Sequence, residues 1–263
     1  MDIESLKTAC VCHYRLDDNA PTTVVLDAKG FSNGTAQRNT SLMHAAGKVG
    51  GALALNGTSD YIDTGSTFQN IFSKDFSIAF WFNPALPLID YDMVTGLIDS
   101  QGRSYFYLNL GATPPNHPFI NVFYSVNYEN NSLSNTVDTL ISSGEWHFVV
   151  VSYKQVDAQK AEINIYLDGE LGANSQAEIS LSDWLCDGNF TIGSYAGGHF
   201  WQAVFDDFMV FNQALSQDDV NYLYNGGAGI DLDGPTIIQI GGADKHIGGA
   251  DAQLGGATLQ IGV

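Results

Sequence analysis

Positive charge is what this sequence has least of. Ten Lys and Arg stand against 29 Asp and Glu in 263 residues, a formal net charge of −19 at pH 7. A chain this acidic repels phosphate, so nucleic acid is not an expected partner. Long apolar runs are also missing: pieces such as Phe148-Val149-Val150-Val151 fall far short of the roughly 20 residues a membrane-spanning helix requires. No membrane insertion is expected. The stretch from Met1 to Lys7 has no basic segment leading into an apolar core, and no secretory signal is visible. The three cysteines, Cys10, Cys12 and Cys186, are odd in number, and the first two are poorly spaced for an unstrained bridge, so they read as buried thiols. Signatures of catalysis are lacking as well. The Glu residues are isolated, without the closely placed carboxylate pair of a glycosidase, and there is no Gly-x-Ser-x-Gly elbow and no phosphate-binding Gly-Lys-Ser/Thr loop. The expectation is a protein that is not an enzyme.

What is present is apolar and aromatic: 44% of residues are hydrophobic and 12% aromatic, enough for one sizeable core. Short β-rich runs separated by Gly, Asn, Asp and Pro recur from Ala9 to Asn212, a pattern that predicts an all-β sandwich or barrel. The clearest strands are Ala9 to Leu16, Gly51 to Leu55, Phe76 to Phe82, Ser104 to Leu110, Phe119 to Val126, Trp146 to Tyr153, Glu162 to Leu167, Phe190 to Gly193 and Ala203 to Phe211. Trp81 and Trp146, within such runs, are expected in the core. Asp168-Gly169 marks a hairpin turn. One short helix is expected from Ser216 to Tyr224, with Ser216 and Asp219 spaced as a capping box.

The last thirty residues differ. Gly recurs at 234, 241, 248, 255 and 262, and Ile or Leu at 240, 247, 254 and 261, a seven-residue repeat. A coiled coil is excluded, because the eight glycines of this segment would cost a helix roughly 8 kcal/mol. An odd period also forbids one flat strand with a single apolar face, so each Gly-Gly must turn the chain. Such repeats bury their aliphatic row by stacking. The expected organisation is therefore a domain over residues 1–229 and a Gly-rich oligomerisation or attachment segment over 230–263.

Between residues 9 and 225 the chain resembles the laminin-G-like, concanavalin-A-like jelly-roll domains. The resemblance rests on Tyr14-Arg-Leu-Asp-Asp-Asn, Val25-Leu-Asp27-Ala-Lys-Gly30, Gly47 to Ile62, Phe76-Ser-Ile-Ala-Phe-Trp81, Trp146-His147-Phe, Leu167-Asp168-Gly169, Phe190-Thr-Ile-Gly193 and Phe205-Asp206-Asp207-Phe, in order. It implies a two-sheet antiparallel jelly-roll sandwich, here with the Gly-rich heptad-repeat extension. Along a strand Asp206 would share a face with Phe208 and Val210, and a buried carboxylate must be hydrogen-bonded or bind a cation. In similar domains an Asp of the early loop, nearby oxygens and the Asp of the late strand hold a structural calcium ion, which here implies Asp27, Asn33, Thr35 and Asp206 as ligands. The alternative is an Asp206 bonded only to backbone amides of the 27–35 loop.

Sugar binding by such folds needs rings that stack on pyranose faces. Tyr195, His199 and Trp201 in the Gly-rich 194–201 loop are the preferred candidates, with Tyr105, Tyr107, Tyr124 and Tyr128 as further aromatics. His147 reads as structural. The resulting expectation is a non-catalytic carbohydrate-binding or adhesion domain, its partner a glycan or cell-surface polysaccharide. It is expected on a virion or extracellular surface, as a phage-type fibre, spike or decoration protein. Residues 234–263 would join it into a homo-oligomer, with a trimer favoured. The alternative is a structural subunit of a filament or viral shell that binds no sugar. These differ in that the first requires saturable sugar binding and the second does not.

Overall fold

The computed structural model describes residues 3–85, 92–98, 100, 104–113, 117–125, 132–138, 141–142, 144–157, 160–178, 186–195, 199–234, 237–240, 243–246, 252–254 and 257–259. The chain divides into two compact units, Met1–Ile230 and Asp231–Val263. The first contains strands β1 (Cys10–Tyr14), β2 (Val24–Val25), β3 (Gly34–Ala36), β4 (His44–Ala46), β5 (Gly51–Asn56), β6 (Ile62–Asp63), β7 (Phe76–Pro84) and β8 (Asp92–Ile98). It continues with β9 (Ser104–Thr113), β10 (His117–Ser125), β11 (Ser132–Asp138), β12 (His147–Gln155), β13 (Lys160–Leu167), β14 (Glu170–Glu178), β15 (Phe190–Ile192) and β16 (Gln202–Phe211).

These strands form two sheets. One runs β14-β13-β12-β7-β16-β5-β4, with β1 also paired to β16, and the other runs β11-β10-β9-β8-β15-β6-β3-β2. Their pairings are antiparallel, and alternation decides what lies between them. Ile78, Phe80 and Phe82 of β7 and Val149, Val151 and Tyr153 of β12 join Leu97, Phe106, Leu108, Phe190 and Ile192 of the second sheet in one core. The rings make a continuous cluster, for example Phe72 on Phe76 at 4.6 Å and Phe80 stacked on Phe208 at 5.2 Å between centroids. Ile163 and Ile165 of β13 face this core, while Glu162 and Asn164 do not. The turn after β13 puts both Asp168 and Gly169 at positive φ, 50° and 88°, as a two-residue hairpin turn demands.

The opposite face of the first sheet is also covered. Trp81 of β7 packs on Phe148 of β12 and is stacked by Tyr224, 4.9 and 5.7 Å away. Tyr224 ends α3 (Gln217–Tyr224), which follows α1 (Ile3–Ala9) and α2 (Gln69–Phe72). Ser216 and Asp219 close a reciprocal capping box at its N-terminus. Trp146 differs from expectation: it stands just outside β12 and is only half-buried.

In β16 the chain carries one residue more than its partner β7. The register runs Phe205 opposite Phe82 and Asp206 opposite Trp81, then slips and resumes with Met209 opposite Ala79. Asp207 sits at φ 47° in this bulge, which reverses the inside–outside parity that a regular strand would keep. Asp206 therefore shares the face of Trp81 and Met209, and not that of Phe208 and Val210. Likewise, a shift in β1 puts Cys10 opposite Phe211 and Cys12 opposite Val210. All three cysteines are buried and free, and burial, with Asp27 next in effect, pushes the Cys12 thiol up.

Among its described residues the second unit contains two antiparallel ribbons. β17 (Ile237–Ile240) pairs with β18 (Ala243–His246), and β19 (Ala252–Leu254) pairs with β20 (Ala257–Leu259).

Candidate functional site

Three of the rings expected to matter meet on the face of the second sheet that is turned away from the core. Phe106 and Leu108 of β9 are in the core, so Tyr107 between them points to the opposite face. Its register partner on β8 is Gly96. The ring of Tyr195, which follows β15, lies over that glycine: a Cβ added to Gly96 would stand 2.7 Å from Tyr195 Cδ2. Tyr195 then meets Tyr107 edge to face at 5.9 Å and His199 at 6.4 Å between centroids. Tyr107 and Tyr195 are half-buried and His199 is exposed, with φ 53°. The side chains of Tyr105 and Tyr124, and Tyr128 altogether, lie outside the described residues.

Trp201 is not part of this patch. It is 1% exposed and packs against Phe82 at 5.4 Å and edge-on against Phe205 at 5.2 Å. The reason is parity, since Trp201 precedes β16 in phase with Ala203 and Phe205, both in the core. Its amide donates to Gly193 O at 3.1 Å, which closes the 194–200 loop. Gly193 itself, at φ 82°, leaves no room for a Cβ against Leu55 Cδ1 at 2.0 Å. The alternation that buries Trp201 was legible in sequence. The seat on Gly96 was not, because it joins residues distant along the chain.

Three of the four residues expected to bind calcium are already committed to backbone. Asp27 Oδ1 accepts the amides of His13 and Lys29 at 2.8 and 3.0 Å, and Oδ2 those of Phe31 and Ser32 at 2.6 and 3.0 Å. Asn33 Oδ1 accepts the amide of Asp27 at 3.0 Å, and Thr35 is exposed in β3. Asp206 Oδ2 accepts the amides of Lys48 and Val49 at 2.6 and 2.8 Å. Asp206 thus holds backbone amides, as the alternative reading had it, but those of the 47–50 turn and not of the 27–35 loop. Amide protons occupy both oxygens of Asp27 and Oδ2 of Asp206, where a cation would sit, so this donor set does not fit calcium. Among the described residues no group of three or more His, Cys, Asp or Glu could hold a metal ion.

A second acid lies beside Asp206. Asp207 Oδ1 is 2.9 Å from His13 Nε2, with both side chains buried. Burial first, and then the neighbouring Asp207, push Asp206 up to about 8 despite its two amide donors. Its Oδ1 is buried and makes no hydrogen bond. His147 is held at both nitrogens: Nδ1 lies 2.8 Å from Asp168 Oδ2, and Nε2 accepts the amide of Ser142 at 3.1 Å. With Nε2 engaged by that amide, the ring is a tie between β12 and the 168–169 turn, and no proton-transfer position is left open.

Two antiparallel sheets with an aromatic patch on one outward face define the class of jelly-roll-like, lectin-type domains. The chain belongs to the concanavalin A-like lectin/glucanases superfamily, whose laminin-G-type family profile matches residues 56–221. Comparison with curated protein sequences finds no match. Among solved structures the chain is similar to domain 4 of AbnA, an extracellular arabinanase from Geobacillus stearothermophilus, in complex with arabinotriose. That likeness has a TM-score of 0.55 and 16% identity, over 84% of this chain and 98% of the other. It is also similar to the binding domain of botulinum neurotoxin serotype D, with a TM-score of 0.62 and 16% identity over 84% of this chain. A structure concerning the cell entry of botulinum neurotoxin type C through two ganglioside molecules matches with a TM-score of 0.62 and 15% identity, over 85% of this chain. This chain spans about half, 52%, of each of those two toxin chains. At such identities the likeness shows the fold.

Proposed function

We propose that the Met1–Ile230 unit is a non-catalytic glycan-binding domain that stacks a sugar ring on the Tyr195–Tyr107–His199 patch. The observation that carries this reading is the seat of Tyr195 on Gly96, which holds one ring against the sheet beside a second ring on β9. Aromatic faces with a few polar groups at their edge are what a pyranose needs, because its axial C–H groups pack on the ring while its hydroxyls bond to phenol and imidazole. The fold and its glycan-binding structural relatives support the same reading. The domain acts on a particle or extracellular surface, as a fibre, spike or decoration subunit, and residues 234–263 join copies of the chain. The regular repeat also supports a second reading, a structural subunit of a filament or shell that binds no sugar.

Glycan-array binding followed by titration of wild type and Tyr195→Ala tests the proposal. Saturable binding by the wild type that Tyr195→Ala weakens tenfold or more, with an unchanged melting temperature, is the expected result. Blank arrays with an assembled chain would move the protein to the second reading. Trp201→Ala is unsuited as a probe, since it opens the core.

A further inference from the structure

On the outer face of the first sheet, side chains stand in rows set by the register. Val204 of β16 is opposite Ala54 of β5 on one side and Asn83 of β7 on the other. One row nearer the strand ends, Gln202 is opposite Asn56, and its carbonyl accepts the amide of Ala85 at 3.0 Å. The alternate residues Leu53, Leu55, Phe82, Ala203 and Phe205 lie in the core, so Ala54, Asn83, Gln202 and Val204 point away from it. In the next row inward, Trp81 and Asp206, this face is covered. Lys48 lies 4.9 Å over the Trp81 ring, in the turn whose amides Asp206 holds, and Tyr224 stacks on the same ring. Beyond that row Ala54, Asn83 and Val204 are half-buried and Gln202 is exposed.

A cleft of about 350 Å³ opens on these rows, bordered by Ala85 and Gly144. Its size falls within the roughly 300–1,000 Å³ of small-ligand sites. The parts are held in place: the Gly144 amide donates to Pro84 O at 3.1 Å, and the stem of Gln202 runs so close over Gly57 that a Cβ added there would stand 2.7 Å from Gln202 Cβ. Two chemical properties decide what fits. None of the residues that line the cleft is ionisable, so an ion would find no counter-charge and a neutral ligand is selected. The backbone of Ala203 to Phe205 is paired with strands on both sides, so hydrogen bonding to a ligand falls to the carboxamides of Asn83 and Gln202. Each of these offers an NH₂ donor and a carbonyl acceptor. A floor of small aliphatic groups flanked by two carboxamides complements a secondary amide that carries a methyl group.

We infer that this cleft is a second sugar subsite, which reads the acetamido group of a neutral N-acetylated sugar. The methyl packs on Ala54 and Val204, and the amide bonds to Asn83 and Gln202. The choice of a sugar as carrier rests on the glycan-binding reading. Recognition of the amide rests on the cleft alone, which lies on the other sheet from the Tyr195–Tyr107–His199 patch.

Saturation-transfer NMR of the full chain with N-acetylglucosamine and with glucose tests this, in wild type and in Tyr195→Ala, where the tyrosine patch is disabled. The acetyl methyl protons should take up the strongest saturation in both proteins, and glucose should take up less. Asn83→Leu keeps the volume and removes the carboxamide, and should weaken N-acetylglucosamine about fivefold, the worth of one hydrogen bond. Ala54→Leu fills the floor and should abolish binding. Thermal melts establish that each variant is folded; if Ala54→Leu is not, Asn83→Leu and Gln202→Leu carry the test. Equal saturation of the two sugars, or unaltered N-acetylglucosamine binding in the folded cleft variants, overturns the inference. If the signal is lost in Tyr195→Ala and kept in the cleft variants, the amide is read at the tyrosine patch, so that the inference falls while the glycan-binding reading stands. Silence for both sugars in every protein also overturns it, and the array then decides the glycan-binding reading by itself.

Discussion

At position 96 the absence of a side chain makes the aromatic patch. A methyl group there would collide with the Tyr195 ring at 2.7 Å, so Gly96→Val should displace that ring while leaving the core beneath, Phe106 and Leu97, in place. Sugar affinity is expected to fall about tenfold, the value of one stacked ring. Tyr195→Phe keeps the ring and should retain most binding. If Gly96→Val binds like wild type in a titration, the patch is not the site. Asp206 offers a second residue-scale prediction. Its folded value of about 8 lies above the ordinary carboxylate range, near 3.9. Between the two the native state keeps a proton that the unfolded chain has released. Its contribution to stability is therefore complete below about pH 4 and is lost as pH rises toward 8. Asn is a neutral isostere whose Oδ1 can accept both amides now held by Oδ2. Relative to wild type, Asp206→Asn should thus gain melting temperature as pH rises from 5 to 9. Parallel curves for the two proteins would show that Asp206 is ionised in the fold. Added calcium should shift neither curve, because amides already hold both oxygens of Asp27 and Oδ2 of Asp206; a shift in wild type that Asp206→Asn abolishes would restore the metal site.

Elements show how much the sequence could disclose. The strands with clear alternation formed where expected, within a residue or two at most ends, because the alternation is carried by the strand itself and needs no knowledge of its partner. The helix after Ser216 was equally legible, since its signals are local. Ser216 Oγ accepts the Asp219 amide, and Asp219 Oδ2 accepts the Ser216 amide at 2.9 Å. Removing this cap by Ser216→Ala should cost about 1 kcal/mol, a fall of about 2–4 °C in melting temperature for a domain of this size. The loss should also loosen Tyr224 from Trp81, which fluorescence of the folded protein can report. Three things were not legible. Two-residue strands such as Val24–Val25 and Ile62–Asp63 exist only through their pairing. The bulge at Asp207 depends on a one-residue mismatch between β16 and β7, and it turned Asp206 to the unexpected face. The seat of Tyr195 on Gly96 is set by which strands lie side by side, which periodicity does not encode.

For the whole molecule the decisive quantity is the net charge of −19. A field of that size acts over the screening distance, about 8 Å at physiological salt and about 30 Å at 0.01 M. It opposes the approach of any anionic polymer and leaves an uncharged one unaffected. Stacking on Tyr195 and Tyr107 contributes an affinity that does not depend on salt. The proposed site is therefore expected to select neutral glycans, and to do so most strongly when salt is low. Two oligosaccharides of the same backbone, one neutral and one bearing carboxylates, can be titrated against the full chain at about 0.02 and about 0.5 M salt. The neutral ligand should bind equally well at both. The acidic one should bind more weakly at low salt and approach the neutral one as screening rises. Tighter binding of the acidic ligand at low salt would require a basic patch at the site strong enough to overcome the field of the chain, and would make a cationic side chain, not stacking on the tyrosines, the dominant contact.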